Sequence, residues 1–181
     1  MTSEFSHIWF VHIFLNMLVL SSFGPIVEQT IGSGRFLRFY LLAAVVSSLS
    51  HAVVSAFLLH QPGLPALGAS GAISGVVLLF AFLYPRARIL AFGLIPLPAL
   101  VGALAFVGLD IVGLIAQTEG GGLPIGHGAH LGGAATGLLY YLFAIRRLGL
   151  RRPEPIDFGN VATWRALIAR HPPPEFDRKP K

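Results

Sequence analysis

Five apolar blocks, at roughly residues 8–27, 39–59, 68–84, 89–115 and 128–145, account for most of the chain and constrain its fold more than any other feature. None carries the continuous polar stripe that a helix on the surface of a water-soluble domain needs. A helix requires about 20 apolar residues to cross a bilayer's hydrocarbon core, where backbone groups must be satisfied internally, so the blocks read as membrane helices. Composition agrees. Only 12% of residues are charged, against about 25% in an ordinary soluble domain, and mean hydropathy is +0.72. The expected fold class is all-α, a polytopic membrane helix bundle of about five transmembrane helices.

The charges set the topology. All 13 Lys and Arg fall in four places: Arg35 and Arg38; Arg86 and Arg88; Arg146, Arg147, Arg151 and Arg152; and a tail running from Arg165 to Lys181. The first three clusters follow blocks one, three and five, which is one side of the membrane if every block crosses. The positive-inside rule makes that side the inner one. The opposite segments, 60–67 and 116–125, hold no Lys or Arg, and Met1 shares their side. A net charge of +5 arranged in this way flanks membrane helices and gives no reason to expect nucleic acid among the partners. The expected organisation is a membrane domain at 1–148 and a basic, proline-rich, inside-facing tail at 149–181.

Cysteine is absent, so disulfides and thiolate metal sites are excluded. The N-terminus has neither the basic segment nor the cleavage site of a signal peptide. Block three is peculiar. Its clearly apolar part, about Val76 to Tyr84, spans only if Gly68–Gly75 also lies at membrane depth, where a polar helix start survives only in protein or against a wet cavity. An outward-opening cavity is therefore expected there.

Three polar constellations could carry chemistry. The first is Gly68-Ala-Ser-Gly71, at the loop-to-helix transition, followed by Gly75. Ser70 at a helix N-terminus lies beside unpaired N–H groups that suit an oxyanion. The alternative reading makes Ser70 an N-cap and Gly71 and Gly75 a small-residue packing face. The second is Gly126-His-Gly-Ala-His130, in which Ala129, Gly133 and Gly137 form a matching ridge. Two such ridges allow close helix approach and bring His130 toward Ser70, where an imidazole could activate the hydroxyl. The third is His12 and Asn16, one turn apart on block one, either oxyanion donors or interhelical hydrogen-bonding residues.

No acid is evident to orient His130, so a Ser–His dyad is expected. Asp110, the only carboxylate well inside an apolar block, is either functional or a hydrogen-bond acceptor for neighbouring helices. His7 and His60 read as outer interfacial residues, His51 as a satisfied core or helix-contact residue, His127 as a helix-start or cavity residue and His171 as part of the tail. His7, His12, His127 and His130 have no metal-motif spacing, so neither metal nor other cofactor is expected.

In order and sidedness these motifs resemble the rhomboid family of intramembrane serine proteases over most of residues 8–145. The family's His-x-x-x-Asn looks like His12 and Asn16, its G-x-S-G like Gly68–Gly71, and its A-H-x-x-G-x-x-x-G like Ala129–Gly137. Phe23-Gly24, Glu28 and Gly32–Tyr40 are similar to its inner-loop pattern. The resemblance implies Ser70 as nucleophile, His130 as general base, and His12, Asn16 and the Ser70 N–H as oxyanion donors. It further implies partners that are transmembrane protein substrates within a lipid bilayer. Tyr84–Arg88, Ile95–Pro98 and Gly122–His127 look like mitochondrial-type members, and the expected location is a bacterial or mitochondrial inner membrane.

Two departures accompany the match. Family members have at least six core helices, one of them preceding the His-x-x-x-Asn helix, and no block here corresponds to it. The expectation is a chain lacking that helix through a downstream start or a truncated gene. Ser74 stands where many members place an aromatic ring against the catalytic histidine. The competing functional class is a catalytically impaired rhomboid-like protein that binds client helices. A channel or transporter is disfavoured by the absence of an inverted repeat.

Overall fold

The structure, a computed structural model, describes residues 3–64, 69–91, 95–123, 125–145 and 147. Gly68 of the serine motif, the expected tail at 149–181 and His171 lie outside the described residues, as does the side chain of His7.

Among the described residues, five helices form where the apolar blocks place them. Helix α1 is Ser3–Ile31 and α2 is Ser33–Val53, extended through a wide π turn at Val54–Leu58. Helix α3 is Ser70–Leu83, α4 is Ala99–Thr118, and α5 is His127–Leu139, prolonged by a second π turn at Tyr140–Ile145. Only Gly32 separates α1 from α2. Its φ of 88° is open to glycine, and the reversal is closed by Gly32 N–H donating to Glu28 O at 2.7 Å.

One expectation needs correcting. Block four was expected to be helical from residue 89, but Arg88–Ala91 and Ile95–Pro98 pair as an antiparallel hairpin, strands β1 and β2, before α4 begins. Pro96 and Pro98 explain it. Each lacks a donor and disfavours α geometry in the residue before it, so the helix starts only after the second proline. Arg88 faces Pro98 and Ala91 faces Ile95 in the register.

Burial is distributed as a bilayer requires. Helix α3 is enclosed, with Ala72, Val76, Leu79 and Phe80 at most 2% exposed. Helices α1, α2 and α4 expose Phe10, Leu18, Leu42, Leu49, Leu109 and Val112, an apolar girdle that water would not tolerate but lipid matches. Three segments, Phe10–Ile31, Ser33–Leu58 and Ala99–Thr118, are each long and apolar enough to cross. The 14 residues of α3 extend about 21 Å at 1.5 Å per residue, short of the roughly 30 Å hydrocarbon core. If its inner end is level with the basic loops, its first residue lies below the outer surface. That inner end is fixed to α1: Thr30 Oγ1 and Tyr84 Oη are 2.7 Å apart, and Phe23 packs on Phe80 with centroids 4.9 Å apart.

Candidate active site

Alternation of helix direction puts the starts of α3 and α5, the end of α4 and the first half of α1 at one end of the bundle. Arg35, Arg38, Arg86 and Arg88 occupy the other end. Ser70, His130, Asp110, His12 and Asn16 consequently share the arginine-free end.

Backbone proximity between α3 and α5 brings the first two together. A Cβ added to Gly133 would collide with the carbonyl of Gly71, one on Gly137 with the carbonyl of Gly75, and one on Gly75 would lie 2.7 Å from the carbonyl of Gly133. Side chains on these ridges would hold the helices apart. Ala129 belongs to the same face, its carbonyl 3.0 Å from the place a Gly71 Cβ would take. A second glycine face, missed in the sequence, turns toward α2. Cβ atoms on Gly128 and Gly132 would strike Val54 and Ser50, and Ser50 Oγ donates to Gly128 O at 2.8 Å. The i, i+4 spacing of 128 and 132 was its signal.

At the mouth of this seam Ser70 Oγ lies 3.0 Å from His130 Nε2. His130 Nδ1 lies 3.0 Å from Asp110 Oδ1, and His127 Nδ1 lies 2.7 Å from the same oxygen. Asp110, His127 and His130 are 4%, 7% and 9% exposed, so these are hydrogen bonds shielded from water. An ionised carboxylate only accepts, so each neutral imidazole carries its proton on Nδ1. His130 Nε2 is then left as a lone pair to which Ser70 O–H donates. This differs from the acid-free dyad expected above. The signals were an intramembrane carboxylate in need of a partner and two histidines three residues apart, hence on one face of α5.

Helix α4 supplies more than Asp110. Phe106, one turn earlier, places its ring 5.6 Å from that of His130, tilted by 33°. An aromatic support for the imidazole therefore exists, but from α4, while Ser74 on α3 donates to Ser70 O at 2.9 Å. Gly113, one turn later, leaves room for the His127 ring, which a Cβ there would overlap. His51, expected to be a satisfied core or helix-contact residue, is 5% exposed, with Nε2 3.1 Å from Leu64 O in the loop before α3.

His12 and Asn16 are half-buried on α1. Among the described residues neither is hydrogen-bonded to Ser70 or His130. His12 Nε2 is the one buried side-chain polar atom of the described residues that lacks a partner. The Asp110, His127 and His130 donor atoms lie within 4.8 Å of one another, a spacing that a metal ion could bridge. The hydrogen bonds already account for that cluster. An apolar groove of about 570 Å³, lined by Phe14, Leu18, Gly24 and Phe36, runs between α1 and α2 and includes none of these polar residues.

Comparison with known proteins agrees with the motif order. The Rhomboid domain model matches residues 1–147. The chain belongs to the rhomboid family. It is 38% identical over 146 residues to the RHOMBOID-like protein 12, mitochondrial, of Arabidopsis thaliana, covering 74% of this chain and 42% of that one. The Rhomboid protein 1, mitochondrial, of Saccharomyces cerevisiae is 37% identical over 147 residues, 76% of this chain and 39% of its own. The human Presenilin-associated rhomboid-like protein, mitochondrial, is 31% identical over 173 residues, 94% of this chain and 42% of its own. The chain thus spans about two fifths of the length of these relatives. No solved structure matches it. Rhomboids are helical membrane bundles and generally intramembrane serine proteases. This rhomboid, with three helices among the described residues long and apolar enough to cross, is a multi-pass integral membrane protein.

Proposed function

We propose that this rhomboid is an intramembrane serine endopeptidase that cuts membrane-anchored proteins in or near their transmembrane segments, in a bacterial or mitochondrial inner membrane. The observation that carries the reading is the 3.0 Å bond between Ser70 Oγ and His130 Nε2 at a helix start. Serine is a weak nucleophile until an adjacent base takes its proton, and this contact has the required atoms at the required distance.

Ser70 Oγ forms a bond to the scissile carbonyl carbon while its proton passes to His130 Nε2 and the carbonyl π pair moves to oxygen. Collapse breaks the C–N bond, and His130 returns the proton to the departing amine. A water then repeats the sequence on the acyl-enzyme and frees Ser70. The first N–H groups of α3 have no acceptor within the helix and carry its positive dipole end, which favours the oxyanion. His12 and Asn16 are the further donors in this reading. The unpartnered His12 Nε2 supports that role, since a buried polar atom costs about 1–3 kcal/mol until it finds a partner.

Labelling of the detergent-solubilised protein by a serine-reactive fluorophosphonate tests this. Wild type is expected to label, Ser70→Ala to lose labelling and His130→Ala to lose most of it. Equal labelling of all three would overturn the proposal.

A further inference from the structure

The inner end of the bundle holds a basic cavity that the peptidase chemistry does not use. Arg35, Arg38, Phe39 and Leu42 from the start of α2 and Tyr140 from the second π turn line a space of about 270 Å³. One wall is aromatic: the Phe39 and Tyr140 rings have centroids 4.8 Å apart and are tilted by 53°. Arg35 Nη1 donates to Ile31 O at 3.2 Å and Arg38 Nε to Gly34 O at 3.0 Å. These bonds anchor each guanidinium and leave most of its N–H donors free of the backbone. Among the described residues no carboxylate pairs with either arginine. Two cations one turn apart, beside a phenol hydroxyl and the positive end of α2, form a site for an anion with several acceptor oxygens.

The surface leading away from the cavity indicates which anion. Arg35, Arg38, Leu42, Val45, Leu49 and Val53 recur every three or four positions and so share one face of α2. Beyond the arginines that face is apolar, with Leu42, Val45, Leu49 and Val53 between 51% and 61% exposed. Charge at the inner end and hydrocarbon along the rest of the span match an amphiphile with an anionic head. A free phosphate would use the arginines and nothing of the apolar track. We propose that the cavity of Arg35, Arg38 and Tyr140 binds the phosphodiester headgroup of an anionic phospholipid of the inner leaflet, with an acyl chain along Leu42, Val45 and Leu49. The guanidinium groups donate to the non-ester oxygens, the phenol donates a further hydrogen bond, and the bound phosphate ties α2 to the far end of α5.

Native mass spectrometry of the detergent-solubilised full chain tests this. It reads the ratio of affinities for phosphatidylglycerol and for phosphatidylcholine, whose choline cancels the phosphate charge, with the same acyl chains on both. Wild type is expected to prefer phosphatidylglycerol by about tenfold or more, the contribution expected of two arginines at a membrane surface. Arg35→Gln combined with Arg38→Gln should remove the preference, and Tyr140→Phe should reduce it. Arg86→Gln combined with Arg88→Gln takes the same charge from the same end but outside the cavity, and should leave the preference intact. Each protein is scored on a ratio of two lipids, so a general loss of stability cancels. Inorganic phosphate and glycerophosphoglycerol supply the anion without the chains, and neither should displace the lipid at millimolar concentration.

No preference in wild type, or a preference that survives loss of Arg35 and Arg38, would overturn the proposal. Equal loss in the two double variants would also overturn it, because attraction to any basic surface would then suffice. Displacement by inorganic phosphate would assign the cavity to a free anion and not to a lipid. An unchanged ratio in Tyr140→Phe would overturn the part assigned to its hydroxyl.

Discussion

At the scale of single residues, the site holds one buried polar atom that folding leaves unsatisfied and three side chains that it hydrogen-bonds to one another. His12 Nε2 is buried without a partner, whereas Asp110, His127 and His130 share hydrogen bonds. The two cases predict opposite behaviour on substitution. His12→Leu removes a desolvated nitrogen, so thermal unfolding in detergent should show equal or higher stability. Loss of an oxyanion donor should at the same time reduce kcat by about 10²–10³-fold. Parallel loss of stability and rate would place His12 in the scaffold instead. Ser70, His130, His12 and Asn16 stood out in the sequence because small residues and helical spacing surround them. The partnership of Asp110 did not, because twenty residues separate it from His130 and only the packing of α4 on α5 joins them. A lone membrane carboxylate says that a partner exists; it does not say which one.

At the scale of elements, α3 and α5 approach so closely that backbone atoms fill the space side chains would occupy. Gly133→Ala would drive a methyl group into the Gly71 carbonyl and separate Ser70 from His130. Overpacking of this kind costs about 1–3 kcal/mol, and a displacement of even 1 Å at the reacting groups costs about 10²-fold in rate. The variant should therefore melt earlier and turn over slowly. Gly108→Ala is the matched control: nothing lies within 4 Å of its added Cβ, and alanine is the better helix former by about 1 kcal/mol, so stability should hold or rise. Equal effects of the two would refute the close-packing argument. Hydrophobic blocks located all five helices, because a span is written in consecutive apolar residues. They misplaced the start of α4, because hydropathy does not distinguish an apolar strand from an apolar helix. Pro96 and Pro98, present in the same stretch, carry the deciding information through their missing donors.

At the scale of the whole molecule, the inverted burial pattern and the charge distribution describe one object seen from two directions. An enclosed, short α3 surrounded by long helices with apolar outer faces needs lipid around it. Among the described residues the arginines gather at one end, which then fixes which way it stands. The Ser70–His130 end should face away from the basic side. The cysteine-free sequence makes this directly measurable, since an introduced thiol is unique. Glu119→Cys, exposed in the loop after α4, and Arg86→Cys, exposed after α3, sample the two ends. In sealed vesicles with the outer face outward, a membrane-impermeant maleimide should modify the thiol at 119 at once. The thiol at 86 should react only after detergent opens the vesicles. The same assay should place the Ser70 end within reach of an impermeant fluorophosphonate from the 119 side. Modification of both thiols from one side would break the alternation of α3 and α4 on which the shared position of Ser70, Asp110 and His130 depends.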